Sequence, residues 1–130
     1  MVVDTSALYA IVMDEPERAA FGVAIKAAER RLVSAATAVE CIAVFAGRGP
    51  DIDPMSALAL VIAEFDLDIV PVDEVQWRVA ADGLVRFGKG RHRARLNLGD
   101  AFPYALAMTR NEPLLCKGVD FAQTDVRLAL

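Results

Sequence analysis

Short apolar runs alternate along this chain with longer stretches in which apolar residues recur at helical spacing, and no other feature constrains the fold as strongly. The runs are Met1-Val2-Val3, Leu32-Val33-Ser34, Asp68-Ile-Val-Pro-Val72 and Leu114-Leu-Cys116. Each is too brief and too apolar to leave one face in water, so each reads as a strand covered on both sides. A helix between successive strands favours parallel pairing. The expected class is α/β, a three-layer α/β/α arrangement around a mostly parallel sheet. The sheet has four strands, or five if Asp125-Val-Arg-Leu128 adds one. No repeat, linker or low-complexity tract interrupts the 130 residues, and that length suits one domain over residues 1–130.

The helical stretches can be placed by their ends. One runs from Ala7 to Met13, and a second starts around Pro16 with Phe21, Ala24, Ile25 and Ala28 as its buried stripe. A third spans Ala35 to Ala46, capped by Ser34, with Val39, Ile42, Ala43 and Ala46 expected inward and Gly47-Arg-Gly-Pro50 ending it. Asp53-Pro54 opens a fourth with Met55, Leu58, Ile62 and Phe65 on one face. Asp73 caps a fifth, in which Trp77, Ala80, Leu84 and Phe87 are expected in the core, before Gly88 and Gly90 end it. The last runs from about Gly99 to Arg110. A start at Leu98 would instead put Pro103 inside the helix and bend Asp100 away from the strand ends.

Composition narrows the function. The hydrophobic fraction is 55% and the mean hydropathy +0.36, so some apolar surface is expected to meet another chain, a homodimer or a permanent partner. Glu40, Glu64 and Asp66 interrupt the longest apolar candidates before the roughly 18 residues a membrane span needs. With no cationic leader either, a cytoplasmic location is expected. Cys41 and Cys116 are isolated, lack metal-like spacing and read as small core residues in a reducing compartment. A net charge of −4 argues against a general nucleic-acid binder. Lys89, Arg91, His92, Arg93 and Arg95 nevertheless concentrate in one loop, which suits a local anion site.

In such folds ligands bind beyond the carboxyl ends of the strands, and that rule sorts the acids. Asp14, Glu15, Glu17, Asp53, Asp73 and Glu74 sit at helix starts, where the dipole favours negative charge. Asp4 follows the first strand, Glu40 lies in the helix after the second, Asp100 opens a crossover helix and Asp120 follows the fourth strand. Singly, each has an ordinary reading as a cap or turn former. Together on one rim they would repel unless a cation compensates. Mg²⁺ takes such hard oxygen ligands and needs neither His nor Cys. Held this way it can activate water at a phosphorus, which is phosphodiester hydrolysis, while the basic loop grips flanking phosphates.

Val2-Val3-Asp4-Thr5-Ser6-Ala7-Leu8, Ser34-Ala-Ala-Thr-Ala-Val-Glu40, Gly88-Lys-Gly-Arg-His92, Leu96-Asn-Leu-Gly-Asp100 with Tyr104-Ala-Leu-Ala107, and Leu114-Leu-Cys-Lys-Gly-Val-Asp-Phe121 with Thr124-Asp125 follow one another in a specific order. In that order the chain resembles, over its whole length, the PIN-domain ribonuclease toxins of the VapC type. The resemblance implies a PIN-like fold and a Mg²⁺- or Mn²⁺-dependent endoribonuclease acting on structured cellular RNA. It also implies a homodimer, neutralised by a small cognate VapB-type antitoxin. By motif, Asp4, Glu40, Asp100 and Asp120 would form the acidic quartet, with Asp4, Asp100 and Asp120 on the metal. Thr5 and Ser6 would orient metal-bound water, and Lys89, Arg91, His92, Arg93 and Arg95 would contact RNA. Ala101, Pro103 and Val119 depart from the pattern without removing a quartet member.

Two rivals remain. A phosphatase of the haloacid-dehalogenase type would use Asp4, Ser34, Lys117, Asp120 and Asp125, but leaves Glu40 and Asp100 unexplained. A catalytically silent PIN-like module would bind RNA or protein without cutting, against which the intact acids argue.

Overall fold

The computed structural model describes residues 1–48 and 53–130, so Gly49 and Pro50, read above as part of a helix stop, lie outside the described residues. Among these residues four strands form one sheet: β1 (Val2–Val3), β2 (Leu32–Ser34), β3 (Asp68–Val70) and β4 (Leu114–Leu115). Their order is β3-β2-β1-β4 and every pairing is parallel. The possible fifth strand is reduced to a single parallel bridge between Leu114 and Leu128, preceded by a short 3₁₀ turn at Phe121–Gln123. The chain around Asp125 is drawn aside by its side chain, which accepts from Tyr104 and Arg86.

Among the described residues six helices connect and cover the sheet: α1 (Thr5–Val12), α2 (Arg18–Ala27), α3 (Ala35–Ala46), α4 (Pro54–Phe65), α5 (Glu74–Phe87) and α6 (Leu98–Arg110). The two-residue alternation of the strands sorts the core into two layers. Val3, Val33 and Leu115 join α1 to α4 through Leu8, Ile11, Phe21, Ile25, Phe45 and Phe65. Val2, Leu32 and Leu114 face the other way and meet Phe87, Leu96, Tyr104 and Leu106.

Two expected stripes turn out rotated. On α3 the buried residues are Thr37, Cys41 and Phe45, whereas Val39 is 70% exposed and Ala43 and Ala46 also face out. The helix is apolar almost all round, so periodicity could not pick its face. On α5 the core side is Gln76, Ala80, Gly83 and Phe87. Trp77 is 47% exposed, with its indole N–H donating to Glu74 at 2.9 Å and the Arg78 guanidinium 4.9 Å from its ring. On α4, Met55 lies outside and Val61 takes the inner position between Leu58 and Phe65.

Candidate functional site

Asp4 stands where β1 becomes α1, and it is the N-cap of that helix. Its backbone N–H donates to Leu115 O at 3.0 Å, which ties the exit of β1 to β4. Its carboxylate accepts from the Ser6 N–H at 3.0 Å and the Ser6 hydroxyl at 2.5 Å, and that hydroxyl accepts in turn from the Lys117 N–H at 2.8 Å. The Thr5 hydroxyl donates to Glu40 at 2.6 Å. Thr5 and Ser6, expected to orient water, therefore orient carboxylates in this structure.

Glu40 arrives from α3, and its carboxylate lies directly against Gly99, where any β-carbon would collide with it. A glycine is needed at that position to let two helices meet at a carboxylate. Asp100 follows at the third residue of α6, in a capping box with Asn97: the Asn97 N–H donates to Asp100 at 2.7 Å, and the Asp100 N–H to the Asn97 side chain at 3.2 Å. The helix does start at Leu98 and does contain Pro103, yet it continues unbroken to Arg110. The orientation of Asp100 is set upstream of the proline, by the cap.

Asp4, Glu40 and Asp100, from three distant segments, thus line one pocket of about 280 Å³ together with Thr5 and Ser6. Asp120 is exposed at the start of the 3₁₀ turn and does not line that pocket, but its charge is felt at Asp100. Burial raises the Asp4 carboxyl above its ordinary range and nearby Glu40 adds to this, while the bonds from Ser6 oppose it. Burial likewise pushes Asp100 up to about 6, with the charges of Asp4, Glu40 and Asp120 contributing and the Asn97 N–H opposing. Burial, with the charges of Asp4, Asp100 and Asp120 adding to it, pushes the Cys116 thiol up to about 12. Cys116 is only half-buried, not the core residue expected, and Cys41 lies fully buried beneath the site; both thiols are free.

Among the described residues, no group of three His, Cys, Asp or Glu side chains stands arranged to hold a metal ion. Each carboxylate instead has a donor of its own: Ser6 for Asp4, Thr5 for Glu40, the Asn97 N–H for Asp100. The donor set is nevertheless all oxygen and carries an excess of negative charge that the raised carboxyls register. That chemistry fits a hard divalent cation.

The basic loop leads into α6. A parallel bridge between Gly88 and Leu96 closes it, with Lys89 N–H donating to Leu96 O at 3.0 Å. Lys89, Arg91, Arg93 and Arg95 are exposed around a cleft of about 430 Å³. His92 differs from them: its ring stands edge-on to Phe87 at 5.2 Å and its Nδ1 accepts from the Ala94 N–H at 3.1 Å. Lys117, which a phosphatase would aim at phosphate, is held on the surface by Glu15 and Glu17 at 2.9 and 3.0 Å. Sequence reasoning missed Tyr9, Val44 and Arg48, which complete the lining of the acidic pocket. Their helical spacing from Thr5 and Glu40 was the available signal.

A PIN domain family model matches residues 1–127. The chain is 46% identical over 132 residues to Ribonuclease VapC28 of Mycobacterium tuberculosis, covering all of this chain and 98% of that protein. It is 40% identical over 131 residues to Ribonuclease VapC30 of the same species, covering 97% of this chain and 95% of the relative. The fold is similar to the crystal structure of Mycobacterium tuberculosis VapC20, described as a sarcin-ricin loop cleaving toxin. The TM-score is 0.71 at 17% identity, over 97% of this chain and 98% of that one. It is also similar to VapBC2 from Rickettsia felis bound to a DNA fragment from their promoter, with a TM-score of 0.74 at 11% identity, over 98% and 94%.

Proposed function

Since the chain belongs to the PIN-domain family, among the VapC ribonucleases, we propose that it is a metal-dependent endoribonuclease, the toxin of a toxin–antitoxin pair. The observation that carries this reading is the convergence of Asp4, Glu40 and Asp100 on one pocket at the carboxyl ends of the strands. Asp4, Asp100 and Asp120 would hold Mg²⁺ or Mn²⁺, which when bound supplies an activated water and neutralises charge on the scissile phosphate. Ser6 locks the Asp4 carboxylate, and the Asn97 cap locks Asp100, so neither must be ordered when substrate arrives. Glu40, tied to Thr5, is the remaining carboxylate available to orient the attacking water.

The substrate we propose is structured cellular RNA, a transfer or ribosomal RNA, with Lys89, Arg91, Arg93 and Arg95 on its phosphates. His92 supports their loop through Phe87. A VapB-type antitoxin neutralises the enzyme, and the toxin is a cytoplasmic homodimer whose chain is one PIN domain over residues 1–130. The likeness to toxin–antitoxin complexes supports the partner. Among the described residues no helix is long and apolar enough to cross a membrane.

Purified protein freed of antitoxin is expected to cut total cellular RNA at discrete sites with Mg²⁺ or Mn²⁺. Excess chelator and Asp4→Asn each abolish cutting. Undiminished cutting by Asp4→Asn, or in chelator, would overturn the metal mechanism, and mapping the cut ends names the RNA.

A further inference from the structure

The acidic pocket also has a cation in its lining. Arg48 lies just past the end of α3, its N–H donating to Phe45 O at 3.0 Å, and its guanidinium sits over the Tyr9 ring at 4.7 Å from the centroid. Both residues line the pocket that holds Asp4, Glu40 and Asp100. Three carboxylates share the space, yet among the described residues Arg48 forms no ion pair. It is stacked on an aromatic face instead. Stacking fixes the plane of a guanidinium while leaving its N–H edge free, the geometry that grips a phosphate with two parallel bonds.

The position matters as much as the chemistry. The basic cleft shares no lining residue with the acidic pocket, and a neighbouring cleft shares Lys89 and Arg91 with it and reaches Asn97 and Leu98, just ahead of Asp100 in the chain. Cations in those clefts alone would leave the stretch of strand that enters the acidic pocket to be repelled by the carboxylates. Arg48 supplies a grip on that stretch.

Resting on the ribonuclease reading above, we propose that Arg48, held in plane by Tyr9, is a positioning residue that binds a backbone phosphate of single-stranded RNA. The phosphate it takes lies at the acidic pocket and is distinct from those held by the basic loop. Tyr9 acts through Arg48 by keeping the guanidinium flat against the pocket wall.

The test uses the full-length Asp4→Asn protein and a fluorescein-labelled single-stranded RNA oligonucleotide, followed by anisotropy over a range of salt. Arg48→Ala is expected to weaken binding about tenfold, the scale of one charge-assisted contact. It should also flatten the slope of log affinity against log salt by about 0.7, as loss of one phosphate contact on a single strand does. Tyr9→Leu weakens binding less, and the double variant is no weaker than Arg48→Ala, because both changes remove one interaction. In the active protein Arg48→Ala raises KM more than it lowers kcat. Thermal melts confirm that each variant is folded.

If Arg48→Ala leaves affinity and salt slope unchanged while Arg91→Ala reduces both, this inference is wrong and the ribonuclease reading stands. If additive losses appear for Tyr9→Leu and Arg48→Ala, Tyr9 touches the RNA itself and the positioning role is wrong. Absence of RNA cutting by the wild-type protein overturns the ribonuclease reading, and this inference with it.

Discussion

At neutral pH the Asp100 carboxyl stands near its own titration point, pushed up to about 6 by burial and by the charges of Asp4, Glu40 and Asp120. An aspartate in the unfolded chain titrates near 3.8. Between those values the folded protein binds more protons than the unfolded chain, so stability without a divalent cation falls as pH rises through this window. After screening of a partly exposed group, the effect at pH 8 is on the order of 1 kcal/mol. Asp100→Asn keeps an oxygen for the Asn97 N–H and removes the charge. Without divalent cation it is expected to melt a few degrees above wild type at pH 8 and to lose part of the decline between pH 4 and 7. Identical melting curves for the two proteins across that range would show that Asp100 is not the strained carboxyl. At this scale the meeting of Asp4, Glu40 and Asp100 at one pocket was legible because Asp4 follows a strand, Glu40 lies in the helix after one and Asp100 opens a crossover helix. That Glu40 presses on Gly99, that Ser6 and Thr5 serve carboxylates, and that Asp120 stands apart depend on which side chains reach one another, and spacing does not say that.

Helix ends were far more legible than helix faces. Ser34, Asp53 and Asp73 each cap the helix expected of them, because capping is a bond between near neighbours in sequence. The faces of α3 and α5 came out rotated, since α3 is apolar on nearly every side and α5 hides a glutamine. The amide of Gln76 donates to Pro71 O at 3.1 Å and to Asp73 at 3.3 Å, bonds that let a polar side chain take a core position where hydropathy alone expects an apolar one. The close approach of α5 to α6 rests on Gly83, where an added β-carbon would stand 2.7 Å from the Tyr104 ring. An exposed Gly→Ala change in a helix gains about 1 kcal/mol. Here overpacking costs about 1–3 kcal/mol and dominates, so Gly83→Ala is expected to lower the urea midpoint. A raised midpoint would show that Tyr104 yields freely and that the glycine is not required. Because Tyr104 also donates to Asp125 at 2.9 Å, the loss should extend to the docking of the C-terminal segment.

For the molecule as a whole, outward apolar side chains remain to be explained. Val39 and Leu60 are 70% exposed, and Val75 and Val85 on α5 are over half exposed. Surfaces of this kind are commonly covered by another chain. The protein is expected to sediment at twice the mass of one chain at micromolar concentration without antitoxin. Sedimentation as a single chain would remove the homodimer and leave this surface to the antitoxin alone. The layered α/β class, the order of its elements, the caps, the basic loop and the acids near the strand ends were all legible in the residues alone. All of these follow from periodicity and from contacts between near neighbours in the chain. Tertiary packing settled which face of α3 is buried, that the fifth strand shrinks to a bridge, and that Asp100 lines one pocket with Asp4 although Pro103 lies inside α6. It also brought Tyr9 and Arg48 into the lining of the acidic pocket. Those outcomes depend on contacts between segments far apart in the chain, where packing and shared electrostatics decide among locally equivalent choices.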